Sequence, residues 1–136
     1  MKRTLSVPFL AFLFLAGSAF AADVRITDSA GVEVLVREIN IDYGGLLGSD
    51  KDNEGVRVTV GDATVTAKWV DIQSLTVTGR DPAAARMTVE ILLKNGKSQN
   101  GQLLRKGRMK ISGKADLGDY SIDLEKIKKI TVVSAK

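Results

Sequence analysis

Apolar and polar positions alternate in short runs along most of the chain, most clearly from Gly118 to Val133. Tyr120, Ile122 and Leu124 alternate there with Ser121 and Asp123, the period of two that gives a strand one buried face. The spacing then becomes three, from Leu124 to Ile127, which fits one turn of 3₁₀ helix. Ile130 to Val133 resumes as a β-branched strand. The stretch from Val65 to Val77 repeats this pattern without a gap. Ala67 falls on Ile122, Trp69 on Leu124, Ile72 on Ile127, Leu75 on Ile130 and Val77 on Val132. A weaker echo places Val32, Val34, Val36 and Ile39 on Tyr120, Ile122, Leu124 and Ile127.

The same reading extends along the chain. Val24–Thr27 and Val32–Val36 predict a hairpin turning at Asp28–Gly31, and Ile39 to Asp42 predicts a further strand. The longest polar break, Tyr43 to Gly55, predicts a surface loop. Val56, Val58 and Val60 alternate, Gly61-Asp62 turns the chain, and Ala63, Val65, Ala67 and Trp69 face inward on the return. Gly79 and Pro82 argue against a continuous strand, so residues 79–86 read as a connection. Met87, Val89, Ile91 and Leu93 form the next alternating run. Asn95-Gly96 signals a tight hairpin of type I′, with positive φ at both residues. Met109 and Ile111 point inward beyond a turn at Gly107. No segment sustains a helical period, so the expected fold is all-β with some ten short strands. The expected division is a leader over 1–21, an N-terminal β lobe over 22–78, the connection over 79–86 and a C-terminal small-barrel lobe over 87–136.

The run Val89-Glu90-Ile91-Leu92-Leu93-Lys94-Asn95-Gly96, with Gly101 and the strand–3₁₀–strand closure, resembles the opening hairpin and closure of Sm-like proteins. The resemblance implies a small SH3-like or Sm-like barrel, either one or a two-lobed barrel or sandwich with short 3₁₀ turns. The RNA-contacting motifs of that family are not recognisable, so its function does not carry over.

Met1 to Ala22 has the form of an export leader. Lys2 and Arg3 precede an apolar run from Leu5 to Phe14, and Ala19-Phe20-Ala21 is a small-residue cleavage site. Cleavage is expected after Ala21, or after Ala22. The apolar run is short for a membrane span, which needs ~20 residues. The expectation is a periplasmic or secreted protein with no transmembrane segment in the mature chain. Loss of Lys2 and Arg3 would lower the formal net charge from +4 to +2. The chain holds no Cys and no His. Disulfides, the thiol nucleophile, the commonest general base and the usual zinc ligands are thereby excluded.

Five features could carry chemistry. Asp50, Asp52, Glu54 and Gly55 occupy positions 1, 3, 5 and 6 of a calcium loop, but position 12 falls on Gly61 rather than a bidentate Glu. A plain charged loop is therefore expected, with no cofactor or metal. Tyr43, beside Gly44 and Gly45, is the aromatic best placed to touch a ligand with that loop. The segment from Arg86 to Lys114 carries eight basic residues against one acid, Glu90. Its densest part, Arg105, Lys106, Arg108 and Lys110, could contact an anionic envelope polymer or lipid. No aromatic lies among these residues to stack on bases, so nucleic acid is not an expected partner. Ser121 with Lys126 or Lys128, or the carboxylates Asp116, Asp119 and Asp123, could be proposed for a small hydrolase. They fall on an outward strand face or a turn, without preorganised oxyanion donors. The expected function is a non-enzymatic binding or scaffolding module of the bacterial envelope. Its partner is an envelope protein or, alternatively, an anionic envelope polymer or lipid. The oligomeric state is left open.

Overall fold

The computed structural model describes residues 22–44, 51–81, 83–104 and 109–135. The leader expected over 1–21 lies outside them. The described chain is all-β. Eleven strands run β1 (Ala22–Asp28), β2 (Glu33–Asp42), β3 (Lys51–Asp52), β4 (Gly55–Val60), β5 (Ala63–Lys68) and β6 (Ile72–Asp81). They continue as β7 (Arg86–Leu93), β8 (Ser98–Leu104), β9 (Lys110–Ala115), β10 (Gly118–Asp123) and β11 (Ile127–Ala135). Two single 3₁₀ turns, Trp69–Asp71 and Leu124–Lys126, precede β6 and β11.

The strands form one open, strongly curled antiparallel sheet in the order β10-β9-β2-β1-β11-β6-β7-β8-β4-β5, with β3 added to β2. Read from either end, this order follows one plan. β4, β5, the first 3₁₀ turn and β6 match β9, β10, the second 3₁₀ turn and β11 at a constant offset of 55 residues. The β1–β2 hairpin matches β7–β8 at an offset of 65, since Val24 opposite Val36 corresponds to Val89 opposite Gly101. The hydrogen bonds repeat too. Ser29 N–H donates to the Lys126 carbonyl at 2.9 Å, and Lys94 N–H donates to that of Asp71 at 3.0 Å. Trp69 N–H donates to the Glu54 carbonyl and Leu124 N–H to that of Met109, each at 2.9 Å.

The two repeats therefore share their strands. The hairpin β1–β2 packs beside β9, β10 and β11, and β7–β8 packs beside β4, β5 and β6. Strands from residues 22–78 and 87–136 thus alternate within one sheet. Over residues 79–86, β6 continues through Gly79 to Asp81 and pairs with Arg86–Thr88 of β7. A bulge lies just before Gly79: Thr78 has no opposite residue between the pairs Val77–Val89 and Gly79–Thr88. The echo at Val34, Val36 and Ile39 belongs to β2, whose counterpart is β8 rather than β10; alternation alone produced that likeness.

Both matching hairpins turn through three-residue loops. Gly31 and Gly96 take φ of +86° and +89°. Gly96 N–H donates to Leu93 O at 3.0 Å and Leu93 N–H to Lys97 O at 2.8 Å. Asn95 does not adopt positive φ, so the turn is not the expected type I′ but the three-residue form closed by a glycine bulge. The core lies on the concave side, where Ile26, Ile39, Trp69, Ile72, Ile111 and Ile127 are fully buried. Trp69 and its counterpart Leu124 are both inside, as their phase predicted.

Candidate binding cleft

The two halves use one backbone plan but fill it differently. In the half containing β10, Tyr120 and Ile122 are half-buried and pack against the core. Burial, and then the negative charge of Asp28, raise the Tyr120 phenol above its ordinary value of 10.0. The ring is thus held near the hairpin end of β1. At the matching positions of β5 stand Val65 and Ala67. Their side chains are too short to reach the matching hairpin, and Val65 remains 46% exposed.

The space left is a cleft of about 630 Å³. Its apolar wall comes from Val58 and Val60 of β4, Val65 and Ala67 of β5, and Ile91 and Leu93 of β7. Lys68, Lys94 and Asp71 stand around it as well. All three are exposed. β5 ends the sheet and pairs only with β4 among the described strands, so its outer row of backbone groups borders the cleft. Sequence reasoning pointed β5 inward but missed the cavity. The signal was present in the alignment of the repeats, where two successive inward positions lose volume together: tyrosine to valine and isoleucine to alanine.

The residues singled out from sequence are distributed elsewhere. The half-buried Tyr43 hydroxyl accepts a 2.9 Å hydrogen bond from Arg57 N–H, and the Arg57 guanidinium lies 4.0 Å from the ring centroid. Tyr43 thus pins the end of β2 onto β4. Asp52 sits opposite Ile41 in β3, and its carboxylate accepts from Glu54 N–H at 2.9 Å, a local turn. The Glu54 side chain is exposed. Asp50 lies outside the described residues. Among those described, no group of three or more acids could hold a metal ion.

Of the basic cluster, Arg105, Lys106 and Arg108 also lie outside the described residues. Lys110 is exposed on β9, opposite Asp42 on one side and Asp123 on the other. Asp116 pairs with Arg37 at 3.0 Å and Asp119 with Lys114 at 3.6 Å, all on the surface. Ser121 stands opposite Ser112 on the exposed hairpin β9–β10. No helix among the described residues is long and apolar enough to cross a membrane.

No family model matches the chain, and no characterised protein matches it at the level of sequence.

Proposed function

We propose that this chain is an exported, non-enzymatic binding module of the bacterial envelope, and that it holds its partner at the cleft beside β5. The observation that carries this reading is the unequal filling of two equivalent sites. A plan that Tyr120 and Ile122 complete in one half is left open in the other, next to a free sheet edge. An open apolar cleft with a few polar groups at its mouth is the usual form of a binding site. Export is supported by the form of the leader, with Lys2 and Arg3 ahead of an apolar run and the small-residue site Ala19-Phe20-Ala21.

The test is capture from envelope extract, at low and high salt, with the native chain and with Val65→Tyr/Ala67→Ile. A protein retained at high salt by the native chain and lost with the filled variant is the expected result. Equal retention by both would remove the cleft from the function.

A second reading, contact with an anionic polymer or lipid through Arg105, Lys106, Arg108 and Lys110, is supported by the charge of the segment and the exposure of Lys110. It predicts capture that fails at high salt and disappears on charge reversal at Arg105, Lys106 and Arg108. We further propose that each half is a variant of the SH3-like or Sm-like small barrel. The support is the half β1, β2, β9, β10, β11, whose last strand follows a 3₁₀ turn and lies beside its first; the half β4–β8 has the same neighbours in circularly permuted order, with its 3₁₀ turn before β6.

A further inference from the structure

We propose that the cleft receives an extended segment of a partner protein, laid along β5 as an added strand. It inserts an aromatic and a branched aliphatic side chain two residues apart, with acidic residues nearby. This inference rests on the binding-module reading and specifies its ligand.

The molecule itself shows what completes the site. In the other half the equivalent space is taken by Tyr120 and Ile122, which stand two positions apart on one strand. Side chains at i and i+2 of an extended chain leave the same face, so a strand is the backbone that delivers such a pair. The cleft has the wall for that pair, formed by Val58, Ile91 and Leu93. It also has the means to bind the backbone, because β5 ends the described sheet with one row of N–H and C=O groups unpaired.

Charge selects among extended segments. The matching half carries Asp123 at the position of Lys68, and Ser29 at the position of Lys94. The open half has therefore exchanged an acid and a neutral residue for two ammonium groups at its mouth. Neither forms an ion pair among the described residues, and Asp71 is the one acid among the residues lining the cleft. A segment with carboxylates flanking its apolar pair meets these lysines, whereas a basic segment is repelled.

The sequence of residues 118–123, Gly-Asp-Tyr-Ser-Ile-Asp, contains this pattern and supplies the probe. The experiment titrates the corresponding synthetic peptide, capped at both ends, into isotope-labelled protein and follows backbone amide resonances. Saturable shifts at Val65, Ala67, Leu93 and Lys94 are expected. Peptides carrying Tyr120→Ala, or Asp119→Lys with Asp123→Lys, should bind about tenfold more weakly or worse. The protein variant Val65→Tyr/Ala67→Ile, which installs the residues of the matching half, should keep its fold and lose the shifts. Its thermal midpoint gives an independent check of folding.

Unchanged binding by the filled variant, or by the basic peptide, overturns the proposal. A parallel titration with p-cresol separates this inference from its foundation. If p-cresol shifts the cleft residues and the peptide does not, the site stands and the strand ligand is wrong. If neither probe shifts them, both the peptide inference and the cleft reading fall. If concentration-dependent shifts along β5 arise without any probe, the edge is a contact between copies of this chain, and the proposal is likewise overturned.

Discussion

Leu75 and Ile130 face each other across the β6–β11 pair, and each is the other's counterpart in the repeat. Their neighbours obey the same relation: Thr76 opposite Lys129 maps onto Thr131 opposite Ser74. A local two-fold axis therefore passes between these two side chains, both of them buried. Truncation of either removes packing from both halves at once. Leu75→Ala and Ile130→Ala should each cost about 2–5 kcal/mol. Val133→Ala, at an exposed site on the same strand, should stay within about 0.5 kcal/mol. Urea denaturation followed through Trp69 measures all three, and equal losses at buried and exposed sites would contradict the assignment.

The second prediction concerns which hairpin pairs with which strand. A Cβ at Gly113 would collide with the Val36 side chain and lie 2.7 Å from the Arg37 carbonyl oxygen. At the matching contact the sizes are reversed, with Gly101 against Val58: a Cβ there would lie 3.2 Å from that of Val58. Each contact thus combines one valine with one glycine. If each repeat kept its own hairpin, two valines would meet in one half and two glycines in the other. Gly113→Val should destabilise by about 1–3 kcal/mol or more through overpacking. Adding Val36→Gly should recover part of that loss in a double-mutant cycle, and strictly additive losses would refute the pairing.

Tyr120 makes stability depend on alkaline pH. Its phenol titrates above 10.0 in the folded chain, through burial and the nearby Asp28. Below pH 10 the phenol is neutral folded and unfolded, and its contribution is complete. Above that value the unfolded chain loses the proton first, so stability falls as pH rises toward the folded value. Native protein should therefore lose more stability between pH 9 and pH 11 than Tyr120→Phe does. Chemical denaturation at the two pH values decides this, and identical losses would refute it.

Tyr43 is a fastener between β2 and β4. In Tyr43→Phe, the Arg57 N–H loses its phenol acceptor while the guanidinium stays over the ring. A loss of about 1 kcal/mol is expected. Tyr43→Ala removes the ring contact as well and should cost more. Thermal unfolding of the two variants gives the order, and a harmless Tyr43→Ala would show that the fastening is unimportant.

Much of this architecture was legible in the sequence, because strand alternation and turn residues are local. The ungapped match of Val65–Val77 to Tyr120–Val132 located the true repeat. The exchange of hairpins was not legible. It depends on which strand edges meet, and Val36, Val58, Gly101 and Gly113 reveal it only once their contacts are known. Gly79 misled for a related reason: a glycine that often ends a strand here pairs with Thr88 inside one, just past a bulge at Thr78. The cleft escaped notice because the pattern records whether Val65 and Ala67 are apolar and disregards how much space they fill.

The placement of β11 between β1 and β6 also governs how the molecule can form. Ala22, at the start of the first strand, lies opposite Ala135 at the end of the last. Each half draws strands from both repeats, but β4–β8 are consecutive, so that half is complete at residue 104 while the half of β1–β2 and β9–β11 is not. The search for native contacts spans nearly the whole described chain, and such topologies fold slowly. Emerging one residue at a time, this chain can complete the half of β4–β8 while its first hairpin still waits for β9, β10 and β11. Ile127–Ala135 pairs with β1 on one side and β6 on the other, so the last strand made both closes the second half and joins it to the first.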